Sequence, residues 1–344
     1  MEFGLFTFAD LTPDRQTGRT ISAAQRLEEV LAAAKLADEA GFDAFAVGEH
    51  HRLDFAASAT PVVLAAIARE TRRIRLASAV TILSTADPVR VFEDFATVDL
   101  LSGGRAEIIA GRGVFTESFP LFGYDLAEQD ALFAEKLDLL LKLNAAERVT
   151  WQGRFRSALN DAEIPPRPVH GTLPIWIGIG GTRESAARAG TLGLPLAMAN
   201  ISLPPAKLAP VVELYRQKGR EAGHDPAVLR VSIAAHLHVQ KNSQDALDDF
   251  YPHYHDYFST HSADQYRVRE VSRADYEALA GAHGPLFVGS PQQILDKIGY
   301  ERELFGHDRF MVQMDIGGLP FPQVAKVIEL LATDVVPAVR SSVA

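Results

Sequence analysis

Glu49, His50 and His51 close a short apolar run that begins at Gly41 and reads Gly-Phe-Asp-Ala-Phe-Ala-Val-Gly. One carboxylate and two imidazoles in succession offer acid–base chemistry near neutral pH, or metal ligation. Buried strands end this way when their tip opens into a site, because polar side chains cannot sit in the apolar layer just crossed. A solvated strand end would read the same, so the residues alone leave both open. A second set is Gly111-Arg112-Gly113, whose guanidinium is a rigid, permanently charged fork suited to phosphate, or to a carboxylate across a cleft. A third is Gly178-Ile179-Gly180-Gly181-Thr182-Arg183-Glu184, a glycine-rich turn leading into a helix. Free backbone N–H groups at such a turn favour an anion, although plain connectors share the composition. It is neither a Walker sequence nor a Rossmann fingerprint.

His236 and His238 lie two apart on a strand and so point the same way. They read as metal ligands or as barrel-layer residues, and the absence of evident partner carboxylates favours the second reading. Tyr251, His253, Tyr254, His255, Tyr257 and His261 read as one wall of an amphipathic helix, so no metal site is expected.

The elements that must carry these groups follow from periodicity. Glu2–Phe8 reads as a strand, and Ser22 with Gln25 opens a helix that Gly41 ends. Further strands are expected at Asp43–Gly48, Ile74–Leu83, Arg105–Ala110, Leu173–Ile179, Leu194–Ala199, Leu229–Val239 and Phe310–Asp315. Helices between them open at Thr60-Pro61, Pro88, Glu128, about Glu184 and Pro204, and a last one runs from about Pro322 to Thr333. A hairpin is expected around Gln152-Gly153, and the stretch from Asp245 to Leu286 is longer than one crossover needs. Eight strands each followed by a helix predict a TIM (β/α)8 barrel with insertions after strands 4 and 7, ahead of an open doubly wound sheet. Barrel sites lie at the C-terminal strand ends. That rule gathers Glu49, His50, His51, Ser84, Thr85, Arg112, Gly178, Gly180, Gly181 and Thr182 at one mouth.

Composition narrows the class. The 344 residues are 47% hydrophobic and 23% charged, enough for one large core, and one domain spanning 1–344 is expected. A net charge of −10 with scattered Lys and Arg disfavours nucleic acid and anionic membranes as partners. No apolar run approaches the roughly 20 residues of a membrane span, and the start Met-Glu-Phe-Gly-Leu-Phe reads as a strand and not as a signal peptide. The absence of cysteine excludes disulfides and thiolate chemistry and suits a cytoplasmic location.

With these residues set out, the chain resembles the bacterial luciferase-like flavin monooxygenases over nearly its whole length. The carriers are Glu2-Phe3-Gly4, Gly41-Phe42-Asp43 through Glu49-His50-His51, Ala86-Asp87-Pro88-Val89-Arg90 with Glu93-Asp94, and Gly104-Arg105. Gly111-Arg112-Gly113, Phe122-Gly123, Gly193-Leu194-Pro195 and Val288-Gly289-Ser290-Pro291 complete the pattern. The resemblance implies a barrel that holds reduced FMN, which reacts with O2 to give a flavin C4a-hydroperoxide that oxygenates an organic substrate. It implies that His50 is the catalytic base and Arg112 the phosphate contact. It places Ala79-Val80 at a non-prolyl cis peptide against the isoalloxazine, with Phe6 and Glu49 lining the same cavity. It also implies a lid over about 245–286 and pairing as a homodimer.

The chain departs from the luciferases in two ways. Gly111 stands where their catalytic subunits carry a reactive Cys, and Gly181 and Glu184 stand where Ser and Thr contact phosphate. The phosphate contacts would then pass to Gly180, Gly181, Thr182 and Arg183, and light emission from a long-chain aldehyde is not the expected reaction. The leading expectation is a two-component monooxygenase supplied with reduced FMN by a separate flavin reductase and acting on a small, apolar organic substrate. The alternatives are an F420-dependent oxidoreductase, a metal-dependent barrel hydrolase using His50, His51, His236 and His238, and a flavin-binding protein without turnover.

Overall fold

The computed structural model of the chain describes residues 1–15, 17–261 and 271–341. In chain order its strands are β1 (Glu2–Thr7), β2 (Ala44–Val47), β3 (Arg75–Ser78), β4 (Thr81–Ile82), β5 (Ala106–Gly111) and β6 (Arg148–Trp151). There follow β7 (Leu159–Glu163), β8 (Ile175–Ile179), β9 (Leu196–Ala199), β10 (Val231–Val239), β11 (Phe287–Gly289) and β12 (Arg309–Gln313). Parallel pairing runs β1-β2-β3-β5-β8-β9-β10-β12 and returns from β12 to β1, so eight strands close a barrel. It is a TIM barrel, as the strand count predicts.

Local sequence explains the outer helices. The Ser22 hydroxyl accepts from the Gln25 N–H at the start of Ala23–Glu39, and Asp87 caps Pro88–Ser102 through the N–H groups of Val89 and Arg90. Gly103 ends the latter at a left-handed φ of 73°, a conformation for which glycine is the natural residue. The hairpin expected around Gln152-Gly153 is β6 with β7.

Inside the barrel, small residues predominate: Ala44, Ala46, Ala77, Ala197 and Ala234 surround Phe6, Trp176 and Met311. Below them the floor is an ion cluster. Arg309 makes a two-pronged contact with Glu107 at 2.7 and 3.2 Å, both side chains nearly fully buried, and reaches Glu2 at 2.6 Å. Its guanidinium also lies 4.6 Å from the centre of the Trp176 ring. Removing one partner of such a pair strands the other charge in the core. Glu107→Ala is therefore expected to cost about 3–5 kcal/mol of stability, read from urea unfolding, and an unchanged midpoint would show that the cluster contributes nothing.

Two features differ from the sequence expectation. The strand read as continuous over Ile74–Leu83 is broken into β3 and β4 by a cis peptide between Ala79 and Val80, the bond at which the resemblance implied one, and the pairing with β5 slips from Ala77↔Glu107 to Thr81↔Ala110. Ser78 bridges the break, donating its hydroxyl to the Ile109 carbonyl at 3.2 Å and accepting from the Ile109 N–H at 3.0 Å. The other is β11, three residues alongside the upper end of β10, too short for alternation to reveal.

The insertion after β10 comprises the helices Ser243–His261 and Arg273–Ala280; residues 262–270 of the expected lid lie outside the described residues. Ala246, Phe250, Tyr254, Tyr257 and His261 form its buried stripe at helical spacing; of the wall expected from the sequence, Tyr254, Tyr257 and His261 belong to it, while Tyr251, His253 and His255 are only half-buried. Among the described residues, no helix is long and apolar enough to cross a membrane.

Candidate functional site

The end of β2 separates its three titratable residues. Glu49 and His51 turn to the same side, and their side chains meet at 2.8 Å. The second Glu49 oxygen accepts from the Ile82 N–H at 3.0 Å, just past the cis peptide. Glu49 thus ties the tip of β2 to β4, with both carboxylate oxygens engaged. His50 turns the other way into an aromatic box. It stacks on Phe55 with ring centres 4.1 Å apart, and meets Phe8 and Phe115 edge-on at 4.9 Å each. Gly48 permits this arrangement, because a Cβ there would lie 2.2 Å from the Phe8 ring.

Ala79 and Val80 sit on the inner wall with Phe6 and Phe8. Val80 packs so closely over the neighbouring strands that a Cβ on Gly111 would meet its Cγ2 at 2.5 Å, and one on Gly178 its Cγ1 at 2.6 Å. Gly111 and Gly178 are therefore close-approach glycines. Ser84 and Thr85, gathered from the strand-end rule, are buried; Ser84 donates to the carbonyl of Gln129 and Thr85 to that of Ile82.

After β5, the Arg112 guanidinium pairs with Asp130 and donates to the Thr182 hydroxyl at 3.2 Å. Gln129 secures this loop by donating to the carbonyls of Arg112 and Gly113. Thr182 is the N-cap residue of helix Arg183–Leu192, yet its side chain makes no capping bond. The first N–H groups of that helix thus lack a side-chain partner, beside Gly180, where a Cβ would meet nothing within 4 Å. Gly181 adopts a φ of 101°, and Glu184 is exposed. An unfilled space, an uncapped helix end, a hydroxyl and a guanidinium fit a phosphate-like anion. The carboxylate reading of Arg112 holds as well, since Asp130 occupies one prong.

His236 and His238 are buried against the insertion helix Ser243–His261. His236 lies against Tyr254, Tyr257 and Phe258, and His238 stacks on Phe250 at 4.8 Å. Burial pushes both imidazoles down to about 4, so they are neutral at physiological pH. Among the described residues no three His, Asp or Glu side chains are grouped to hold a metal.

Sequence reasoning missed a buried polar network at the same mouth. Asp315, after β12, accepts from the Thr7 hydroxyl at 2.5 Å and from Arg26 at 3.0 Å. Arg26 also lies 3.5 Å from Asp10. Burial raises the Asp315 carboxyl and nearby Asp10 adds to this, outweighing the opposing Arg26. His261, at the end of the insertion helix, meets Asp54 at 2.7 Å and Thr12 at 3.1 Å. It pins that helix to the loops after β1 and β2. The one sequence signal for this network was position, each of Asp10, Asp54 and Asp315 lying shortly beyond a strand end.

Two cavities of about 340 and 350 Å³ lie elsewhere. One runs between helix Arg273–Ala280 and helix Pro291–Phe305, and the other opens at the opposite end of the barrel around Glu2, Arg230 and Asp308. In the first, Lys297 donates to the carbonyls of Ala280 and Gly281, which accounts for its charge as a helix cap. We place the site at the strand ends, where the titratable and anion-binding groups are.

The fold and this gathering of polar groups define a TIM-barrel enzyme with its chemistry at the C-terminal mouth. The profile of the luciferase-like monooxygenases matches residues 1–308. The alkanal monooxygenase alpha chain of Photorhabdus luminescens is 27% identical over 65% of this chain and 61% of its own. The oxygenase component of the flavin-dependent trigonelline monooxygenase of Acinetobacter baylyi is 22% identical over 99% and 96%. Among solved structures, the monooxygenase RslO1 of Streptomyces bottropensis superimposes with a TM-score of 0.87 at 25% identity, covering 98% of this chain and all of that one. The oxygenating constituent of the Pseudomonas putida 3,6-diketocamphane monooxygenase, in complex with FMN, gives 0.78 at 20% identity, with 98% of each chain covered. An F420-dependent secondary alcohol dehydrogenase gives 0.74 at 19%, covering 98% and 99%. The chain belongs to the luciferase-like monooxygenase family, and it is an oxidoreductase of that kind.

Proposed function

We propose that the protein is the oxygenase of a two-component system, which takes reduced FMN from a separate flavin reductase and oxygenates a small, apolar organic substrate. When bound, the reduced flavin would supply the activation of O2, by way of a C4a-hydroperoxide, and the oxygen atom transferred. The observation that carries the reading is the pairing of Arg112 with Thr182 over the open turn at Gly180-Gly181, at the same barrel mouth as His50. Those residues would hold the phosphate, while Ala79, Val80 and Phe6 would support the ring system. His50 would act as the base within the aromatic box, which keeps water from the reacting groups. Glu49 would serve this site by fixing β2 to β4.

Two named similarities add support: the trigonelline enzyme is an oxygenase component, and the diketocamphane structure contains FMN. The F420-dependent neighbour keeps hydride transfer without oxygen as the second reading. The test supplies reduced FMN through a flavin reductase under isotopically labelled O2, across a panel of apolar ketones, aldehydes and thioethers. The expected result is labelled oxygen in a product, dependent on both protein and substrate. Turnover with F420 and none with FMN would overturn the reading. The same proposal places the protein in the cytoplasm as a homodimer paired through barrel-side helices. A monomeric mass at micromolar concentration would contradict the dimer.

A further inference from the structure

Glu117 plays no part in the chemistry assigned so far. It lies between Phe115, which forms one wall of the His50 box, and the short helix Ser118–Leu121. Its Oε1 stands 3.6 Å from Nδ1 of His50, with side-chain exposures of 17% for Glu117 and 8% for His50. Neither that nitrogen nor either carboxylate oxygen completes a hydrogen bond at normal distance. A buried carboxylate charge needs an opposing group, and the His50 ring stands opposite it. Burial raises the Glu117 carboxyl, but the His50 ring and the backbone N–H groups of Glu117 and His51 outweigh it, so the group is held below the usual range and stays ionised at neutral pH.

The other charged groups near the box are engaged elsewhere. Glu49 pairs with His51, and Arg52 pairs with Asp54 while lying 5.5 Å from the centre of Phe115. His261, in ring contact with Phe55, is bonded to Asp54. Phe55, Phe8 and Phe115 hold the His50 ring in the orientation that turns Nδ1 toward Glu117.

We infer that Glu117 is the positioning residue for His50: its carboxylate holds the proton on Nδ1, so that Nε2 is the basic nitrogen presented to the bound reactants. This rests on His50 being the base proposed above. In the step concerned, a proton passes from the reactant to Nε2, Nδ1 keeps its own proton, and the Glu117 carboxylate, itself unprotonated throughout, faces the imidazolium so formed. The arrangement has the logic of a carboxylate that orients a catalytic histidine.

The test is nitrogen NMR of the full chain labelled at histidine, with the His50 signals assigned by their loss in His50→Gln. In the parent protein, the Nδ1–H form is expected to dominate. Glu117→Ala should convert it to a tautomer mixture and lower kcat at least tenfold, with KM for reduced flavin changed less than twofold. Glu117→Gln, whose amide oxygen still accepts from Nδ1, should fall between the two and tests the same point should the alanine variant not fold. An unchanged tautomer in Glu117→Gln and Glu117→Ala overturns the inference, whatever the turnover. A shifted tautomer with unchanged turnover upholds the pairing and removes His50 as the base instead.

Discussion

His50→Ala is expected to retain reduced FMN while losing about 100- to 10,000-fold in oxygenation rate, the range associated with a positioned acid–base group. The expectation comes from where His50 stands. It is enclosed by Phe8, Phe55 and Phe115 and takes no part in the Arg112–Thr182 pair proposed to hold the phosphate, so its loss should spare affinity. Removing the ring also empties one side of the Phe55 stack. His50→Gln, which fills more of that space, is the control that separates lost chemistry from lost packing. The measurement pairs a flavin titration with product yield from the reductase-coupled reaction. An unchanged yield would remove His50 from the mechanism.

Arg112→Ala should weaken FMN roughly 10- to 100-fold and leave riboflavin nearly untouched, because the change deletes a charge-assisted contact to phosphate, worth about 1.5–3 kcal/mol. The pairing with Asp130 sharpens the expectation. Asp130 is largely exposed and takes one prong of the guanidinium, so Asp130→Asn, which removes a competing negative charge, should tighten FMN binding modestly. Equal weakening of FMN and riboflavin in Arg112→Ala would show that Arg112 does not meet the phosphate.

The barrel was legible because it is written in local signals. Apolar runs such as Ala44–Val47 and Val231–Val239 alternate with helices opened by Ser22, Asp87-Pro88 and Thr60-Pro61, and those signals act within a few residues. The strand-end rule then brought Glu49, His50, Arg112 and Thr182 to one mouth without reference to contacts. Whatever depends on how two loops meet was not legible. The direction of Glu49 toward Ile82, the pairing of Arg112 with Asp130 and the approach of Glu117 to His50 link residues 33, 18 and 67 positions apart, and no periodicity encodes them.

Gly111 is instructive in another way. The sequence marks it as a departure from the luciferases, where a cysteine stands. The structure gives the physical reason for glycine: Val80, following the cis peptide, fills the space that a side chain would need. Likewise the break at Ala79-Val80 left no trace in propensity, because alanine and valine both suit an uninterrupted strand. The resemblance to a family, not the residues themselves, marked that position.

The most direct test of the central claim is an anaerobic titration of the purified protein with photoreduced FMN, followed by rapid mixing with oxygenated buffer while the absorption spectrum is recorded. The account predicts saturable binding of the reduced flavin. It further predicts an oxygen-dependent species, spectrally distinct from both reduced and oxidised FMN, that outlives the reoxidation of free reduced flavin. Failure to bind reduced FMN, or binding followed by immediate reoxidation with no such species, would contradict it.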